Sequence, residues 1–162
     1  MLATTNRLNV NVRWMIKKDL DQVLNIEDSN SQLPSPVGKW RKRDFLAILG
    51  DKSNVGIVAE HNDNVVGFSV YNIQPDKLHI WNMAVDKDHE GRGVGVQIID
   101  KLKSKLQYDR RRILEIDVRE YNLHAQLFLK KCGFLAVETV PGWYEEPRLE
   151  DAYKFRFTLG VE

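Results

Sequence analysis

The chain lacks several features that would place it in whole classes of protein. It has one cysteine, Cys132, in 162 residues, which excludes an internal disulfide and any cysteine-based metal site. No apolar run approaches the ~20 residues of a membrane-spanning helix, and the first residues, MLATTNRLNVNV, contain no apolar signal segment. The net charge of +1 gives no strong field for nucleic acid. We therefore expect a cytoplasmic protein with no metal and no nucleic-acid or membrane partner.

The size and composition are those of a globular protein. Hydrophobic residues make up 43% of the chain, and 162 residues are enough for one domain with its own core. No internal repeat, low-complexity tract or linker interrupts the sequence. We predict a single domain over residues 1–162. Two basic stretches, residues 39–43 and 110–112, are interpreted as the solvent-facing side of a helix and as charges at a helix C-terminus.

The spacing of apolar residues predicts alternating strands and helices. Strands are predicted at residues 8–15, 54–60, 65–73, 78–85, 112–118, 135–140 and 152–159. Helices are predicted at residues 18–28, 39–49, 94–106 and 122–131, and a long connection at residues 141–151. The order β-α-α-β-β-β-α-β-α-β-β predicts an α/β (α+β) fold. It has one mixed, mostly antiparallel sheet of about seven strands and about four helices.

A glycine-rich turn joins the strand at 78–85 to the helix that follows it. The run Glu90-Gly91-Arg92-Gly93-Val94-Gly95 has three glycines in five residues, so the backbone can approach a ligand closely. Backbone N–H groups at a helix start favour an anion, phosphate above all. Gly95 is followed by Val96, which excludes a Walker loop, and five polar residues before the first glycine disagree with the dinucleotide fingerprint. A tight turn without a ligand is the alternative for the loop taken alone.

The residues around the loop resemble those of the GNAT acetyltransferases, which bind acetyl-CoA. The family's first signature, Gln/Arg-x-x-Gly-x-Gly/Ala, matches residues 90–95 with Glu90 at its first position, after Met83-Ala84-Val85. The second signature resembles Asp117-Val118-Arg119, Asn122, Ala125 and Lys131-Cys132-Gly133-Phe134. The branch that acetylates ribosomal-protein alanines (RimI-type) is similar at four further segments, namely Ile26-Glu27, Leu33-Pro34-Ser35, Trp143-Tyr144 and Glu150-Asp151-Ala152-Tyr153.

The resemblance implies a GNAT fold and a place for each part of acetyl-CoA. Backbone groups near Met83, Ala84 and Val85 would hold the pantetheine arm and polarise the thioester. The pyrophosphate would lie on the N–H groups of Gly91, Arg92, Gly93, Val94, Gly95 and Val96, and Asn122 would contact CoA as well as cap a helix. The carboxylate of Glu90 would repel a pyrophosphate, so Lys87, His89 or Arg92 would have to compensate for its charge.

The resemblance also implies candidates for proton transfer. Asp117 stands where the RimI-type branch has its glutamate base, with a solvated strand-edge acid as the alternative. His79, on the neighbouring strand, is a second candidate base, with an ordinary satisfied histidine as the alternative. Leu129 occupies the position of the family's tyrosine, which reprotonates the CoA thiolate. Water or Tyr144 would have to replace that tyrosine, or the thiolate leaves unassisted.

We therefore predict an enzyme that transfers an acetyl group from acetyl-CoA to an amine. The resemblance to the RimI-type branch favours the N-terminal α-amine of a protein as the acceptor. A small-molecule amine acetyltransferase of the same fold and a non-catalytic CoA-binding module are the alternatives. The sequence indicates no oligomeric state.

Overall fold

The structure, a computed structural model, describes residues 6–29, 39–145 and 148–161. Within these residues the strands are β1 (Asn11–Trp14), β2 (Asn54–His61), β3 (Asn64–Ile73), β4 (Lys77–Val85), β5 (Ile113–Arg119), β6 (Leu135–Tyr144) and β7 (Glu150–Thr158). The α-helices of the same residues are α1 (Leu20–Ser29), α2 (Lys42–Leu49), α3 (Val94–Lys103) and α4 (Leu123–Lys131). The predicted order of strands and helices is confirmed.

The described strands form one sheet in the order β1-β2-β3-β4-β5-β7-β6. The pairs are antiparallel except β4 and β5, which are parallel neighbours. The β2–β3 hairpin turns at Asn62 and Asp63, whose φ angles of 48° and 64° are positive, as expected of these residue types. A parallel pair needs a long crossover, and here α3 supplies it.

The parallel strands β4 and β5 separate part of the way along their length. Their pairing runs from Lys77 and Ile113 to Ile80 and Ile116 and stops there. Beyond that point β4 stays paired to β3 as far as Val85, while β5 stays paired to β7. The β3–β4 register shifts at the same place, because Trp81 is an extra residue in β4. The bulge and the divergence together leave a gap between two strand edges.

The two faces of the sheet carry separate hydrophobic clusters. One cluster joins the sheet to α3 and α4, and it includes Val94, Ile98 and Leu102 of α3 at the predicted four-residue spacing. The second joins the sheet to α1 and α2 through residues such as Val23 and Phe45. Each cluster is built from one face of amphipathic helices and alternate residues of the strands. The sheet is therefore covered on both sides, which fixes the register of the central strands.

The boundaries of α2 and α3 differ from the prediction by three residues each. Helix α3 ends at Lys103, not at residue 106, and the hydroxyl of Ser104 donates to the carbonyl of Lys101 at 2.6 Å, a local bond that competes with helix continuation. Residues 110–112 therefore lie outside any helix, and their interpretation as helix C-terminal charges was wrong. Helix α2 begins at Lys42. Trp40 is buried before it, and its backbone N–H donates to Glu27 Oε2 at 2.9 Å, so residues 39–43 are not one helix face.

The predicted connection at residues 141–151 is shorter in the structure. Strand β6 continues to Tyr144, and β7 begins at Glu150, which is the partner of Tyr144 in the ladder. The ladder is irregular between Val140 and Tyr144, where Gly142 has a φ of 63° and its N–H donates to the side chain of Asp151 at 2.8 Å. The predicted resemblance at residues 33–35 lies outside the described residues.

Candidate active site

The glycine loop (residues 90–96) lies between β4 and α3 and presents backbone N–H groups. Gly91 and Gly93 have φ angles of 72° and 84°, which glycine adopts without strain. Gly93 caps α3, so the helix begins at Val94. Among the described residues, no N–H of residues 91–96 donates to a backbone carbonyl. Unpaired N–H groups at a helix N-terminus form a site for an anion.

The side chains beside the loop are held in place by the segment before β1. Arg92 donates through Nε to the carbonyl of Asn6 at 3.0 Å, and the carbonyl of Arg92 accepts from Leu8 N at 2.9 Å. His89 Nδ1 lies 2.6 Å from Asp86 Oδ2. Of the three side chains predicted to compensate for Glu90, Arg92 and His89 are thus engaged elsewhere. Lys87 is exposed and takes part in no ion pair within the described part of the chain.

Gly95 sits where α3, α4 and β4 approach each other. A Cβ at Gly95 would lie 3.0 Å from Phe128 Cζ, tighter than most real Cβ contacts, and 3.6 Å from the methyl carbon of Met83. A larger residue at this position would therefore force the Phe128 ring to shift. The same contacts bring Met83, on the free edge of β4 beyond the bulge, next to the loop. Asn122 caps α4, since its side chain accepts from Ala125 N at 3.1 Å, which confirms the predicted cap.

A row of charged side chains crosses the sheet on the face opposite α3 and α4. In β5, Leu114, Ile116 and Val118 belong to the core cluster on the α3 side, so the alternate residues point the other way. Glu115 pairs in register with His79 of β4 and with Arg156 of β7, while Asp117 pairs with Lys154. We call this set the charged row; its members are Lys77, His79, Glu115, Asp117, Lys154 and Arg156.

His79 and Asp117 meet at the point where β4 and β5 separate. His79 Nε2 lies 3.7 Å from Asp117 Oδ2, with side chains 10% and 12% exposed. Burial lowers the pKa of His79, Asp117 opposes this shift, and Lys154 reinforces it. The ring also packs edge-on against Trp81, with centroids 4.9 Å apart. His79 is therefore a neutral imidazole beside a carboxylate near pH 7, which is the arrangement of a proton acceptor.

Glu115, which was not among the predicted site residues, is the anchor of the charged row. It is fully buried, and it accepts hydrogen bonds from Lys77 at 2.9 Å and from Arg156 at 2.5 Å. Burial opposes its ionisation, yet these two cations outweigh burial and hold the pKa of Glu115 below its usual value. The signal in the sequence was an acid within the apolar strand RILEIDV.

Tyr144 and Leu129 are both buried, on opposite faces of the sheet. Tyr144 is the last residue of β6, not part of a loop, and its hydroxyl donates to the backbone carbonyl of Asp117 at 3.2 Å. The guanidinium of Arg119 lies 4.1 Å from the centre of its ring, and burial raises the pKa of Tyr144. Leu129 belongs to the core cluster around α3 and α4 and offers no proton.

The part of the chain that the structure describes contains no group of three potential metal-ligating side chains. None of its helices is long and apolar enough to cross a membrane.

Parallel strands that diverge beside a glycine-rich helix start are the arrangement that the resemblance to N-acetyltransferases predicted. The chain belongs to the acetyltransferase (GNAT) family, whose model matches residues 20–134. The predicted family is thus confirmed.

Three relatives illustrate the range of the family around this chain. It is 23% identical over 136 residues to the [ribosomal protein bS18]-alanine N-acetyltransferase of Haemophilus ducreyi, covering 84% of this chain and 90% of the relative. It is 32% identical over 112 residues to an uncharacterized N-acetyltransferase of Methanocaldococcus jannaschii, covering 65% of this chain and half of the relative. It is 34% identical over 96 residues to the L-2,4-diaminobutyric acid acetyltransferase of Virgibacillus pantothenticus, covering 57% and 60% of the two chains.

Solved structures share the fold over almost the whole chain. The ribosomal-protein-S18-alanine N-acetyltransferase from Escherichia coli superposes with a TM-score of 0.73 at 19% identity, covering 95% of this chain and 96% of that one. NAA60 of Arabidopsis thaliana, in complex with acetyl-CoA, superposes with a TM-score of 0.78 at 16% identity, covering 94% and 100%. These structures confirm the predicted fold, and the similarity to the [ribosomal protein bS18]-alanine N-acetyltransferase confirms the predicted resemblance to the RimI-type branch.

Proposed function

We propose that this chain transfers the acetyl group of acetyl-CoA to the N-terminal α-amine of a protein. One observation carries the proposal. His79 and Asp117 lie 3.7 Å apart at the end of the paired part of β4 and β5. An amine that enters between the diverging strands would therefore meet a proton acceptor. The relative from H. ducreyi, named for ribosomal-protein-alanine acetylation, supports the same acceptor class.

The residues at the gap fit acetyl-CoA, which supplies an activated acetyl group as a thioester. The N–H groups of residues 91–96 have no backbone acceptor among the described residues, and they would hold the pyrophosphate. The edge of β4 at Met83, Ala84 and Val85 is not paired to β5, so its backbone groups would hold the pantetheine arm. Backbone N–H groups there would also stabilise the oxyanion that develops on the thioester carbonyl. Asn122, which follows β5 and caps α4, would complete the donor site we propose.

The acceptor amine needs only a modest base if it is an α-amine. Its pKa is about 7.7–8.0, against about 10.4 for lysine, so a useful fraction is unprotonated near pH 7. Asp117 Oδ1 is buried and has no hydrogen-bond partner within the described part of the chain, which leaves it ready to accept a hydrogen bond from the amine. We assign the proton lost by the amine to Asp117 and His79 together. No tyrosine stands at Leu129, and a CoA thiolate leaves without one if its pKa is near the ~8.5 of a free thiol.

The charges in and beside the charged row favour an acceptor with one amine. Glu115 is shared by Lys77 and Arg156, and Glu150 lies 3.5 Å from Arg119 and 3.1 Å from Arg148. Asp117, whose Oδ1 accepts no hydrogen bond among the described residues, is then the carboxylate of the charged row that can bind one ammonium group. A second ammonium on the acceptor would face the charge of Lys154 without an anion of its own. This argues for a peptide N-terminus and against polyamines.

A small amino acid is the second candidate acceptor. The similarity to the L-2,4-diaminobutyric acid acetyltransferase of V. pantothenticus favours it, since the carboxylate of such a substrate would complement the charge of Lys154. The two candidates differ in what surrounds the reacting amine. A peptide N-terminus presents an amide beside the amine, whereas the amino acid presents a free carboxylate.

The proposal is tested by measuring free thiol release and acetylated product with a matched set of acceptors. The set contains an alanine-first peptide with a free α-amine, the same peptide blocked at its N-terminus but carrying a lysine, 2,4-diaminobutyrate and spermidine. We expect the free α-amine peptide to give the highest kcat/KM. Equal turnover of the blocked lysine peptide would contradict the α-amine assignment. Dominance of diaminobutyrate would select the second candidate. CoA binding in calorimetry with no turnover of any amine would indicate a non-catalytic module.

A further inference from the structure

Lys154 stands directly opposite Asp117 in the β5–β7 ladder. Its Nζ lies 3.7 Å from Asp117 Oδ1, while His79 Nε2 lies 3.7 Å from Asp117 Oδ2. The carboxylate is therefore flanked by one nitrogen at each oxygen. The Lys154 side chain is 19% exposed, so solvent screens its charge only in part.

The other cations of the charged row are committed to a different acid. Lys77 and Arg156 donate hydrogen bonds to Glu115 at 2.9 Å and 2.5 Å, which offsets their charge. Lys154 is too far from Asp117 Oδ1 for a hydrogen bond, and that oxygen has no hydrogen-bond partner among the described residues. Lys154 thus acts on Asp117 through its charge and leaves the oxygen able to accept from a substrate.

The groups that face the His79–Asp117 pair come from four strands. Lys77 lies on β4 and Glu115 on β5, and they belong to the neutralised part of the charged row. Arg156 of β7 belongs to it too. Tyr144 of β6 donates to the backbone of Asp117 and is uncharged near pH 7, because burial raises its pKa. Glu138 is the cross-strand partner of Lys154 on β6, but the ion pair that Lys154 forms within the described residues is the one with Asp117.

We propose that Lys154 is a positioning residue, which by its charge beside Asp117 sets the pH range over which the His79–Asp117 pair accepts a proton. The inference rests on the proposed function of this site. A positive charge next to the pair disfavours its protonated form, so the pair stays proton-free to lower pH. Removal of the Lys154 charge makes protonation of the His79–Asp117 pair easier. The pair then loses its proton-free form at a higher pH, so the pH range in which it can act as a base becomes narrower at the acid end.

The test compares Lys154→Met with Lys154→Arg, which keeps the charge. The imidazole of His79 is followed by NMR during a pH titration of the full chain without acetyl-CoA, and the pH profile of kcat/KM is measured with the alanine-first peptide. For Lys154→Met we expect the midpoint of His79 and the acid limb of kcat/KM to move up together by about 0.5–1 pH unit. On that limb kcat/KM falls about three- to tenfold. Lys154→Arg keeps both midpoints at the wild-type values.

Further variants separate this effect from general causes. Lys52→Met removes a positive charge at an exposed turn before β2, and both midpoints should stay unchanged. Lys154→Gln replaces Lys154→Met if the methionine variant does not fold. A loss of activity that is equal at every pH, with both midpoints unmoved, would show a merely structural role and overturn the inference. A shifted His79 midpoint without turnover of any amine would retain the role of Lys154 and refute the proposed function.

Discussion

The two ends of the gap between β4 and β5 are built from different parts of the chain. The glycine loop is one continuous segment, and it offers backbone N–H groups with little help from side chains. The charged row is assembled from side chains of β4, β5 and β7, which are far apart in sequence. A backbone site tolerates an unusual side chain such as exposed Glu90, whereas a side-chain site changes its chemistry with each substitution. Family membership therefore identifies the donor more readily than the acceptor.

The largest effect is expected at the side-chain end, from Asp117→Asn. The substitution keeps the shape of the side chain but removes the negative charge that faces His79 and Lys154. General-base catalysis contributes about 10²–10⁴-fold, so we expect kcat to fall about 100-fold or more. The affinity for CoA should stay unchanged, because the glycine loop is not altered. Steady-state kinetics and calorimetry with CoA measure the two quantities.

Asp63→Asn is the matched control for this variant. Asp63 lies at the β2–β3 turn with a φ of 64°, a conformation that asparagine also accepts. It removes the same charge at a turn that lies outside the charged row, and kcat should stay at the wild-type value. If Asp117→Asn kept wild-type kcat, Asp117 would be a structural acid, and the two ends of the gap would not differ in the way proposed.

A smaller effect, on CoA affinity and not on kcat, is expected at the backbone end from Gly93→Ala. A Cβ there has ordinary contact distance, 3.5 Å, to its nearest atom in Arg7, so the cost comes from the φ of 84°. Left-handed backbone costs an alanine about 1–2 kcal/mol, and relief of that strain would turn the N–H groups at the start of α3 away from the ligand. We expect CoA affinity to fall about tenfold, which is about 1.4 kcal/mol. The His79 midpoint should not move.

Gly142→Ala is the control for backbone strain. Gly142 also has a positive φ, 63°, and its nearest atom would be 3.6 Å from the new Cβ. It lies on β6, away from the glycine loop, so the protein should lose stability without losing CoA affinity. Equal loss of CoA affinity in both glycine variants would mean that backbone strain anywhere in the protein lowers donor binding, and that the direction of the N–H groups in the glycine loop is not the cause.

The fold was predictable from the sequence because its signals are local. The four-residue spacing of Val94, Ile98 and Leu102, and the glycines that follow β4, each specify one element without reference to the rest of the chain. The boundaries were less predictable. The prediction placed Trp40 in a helix, whereas the structure places it before α2. Its position depends on a contact with Glu27, 13 residues away in the sequence, and no local pattern indicates such a contact.

The charged row was only half predictable for the same reason. Asp117 and His79 could be assigned from their positions in the resembling family. Their separation of 3.7 Å, by contrast, follows from the parallel register of β4 and β5, which no local pattern specifies. Lys154 and Glu115 carried no motif at all. Only the pairing of β5 with β7 brings Lys154 to the carboxylate, because long-range strand order is a property of the whole sheet.

The smallest effect on rate is expected from Tyr144→Phe, which tests whether this tyrosine replaces the acid missing at Leu129. Its hydroxyl donates to the Asp117 carbonyl at 3.2 Å, and its raised pKa makes it a weak acid. Loss of one such hydrogen bond costs about 0.5–1.5 kcal/mol of unfolding free energy, measured by denaturant titration. We expect kcat to change less than about threefold, well below the 10²-fold of a general acid. Tyr71→Phe removes a hydroxyl from another buried tyrosine, on β3, and should leave kcat unchanged. A loss of kcat above about tenfold with an unaltered free energy of unfolding would make Tyr144 the acid. A hydrogen bond with a purely structural role would instead lower the free energy of unfolding and leave kcat nearly unchanged.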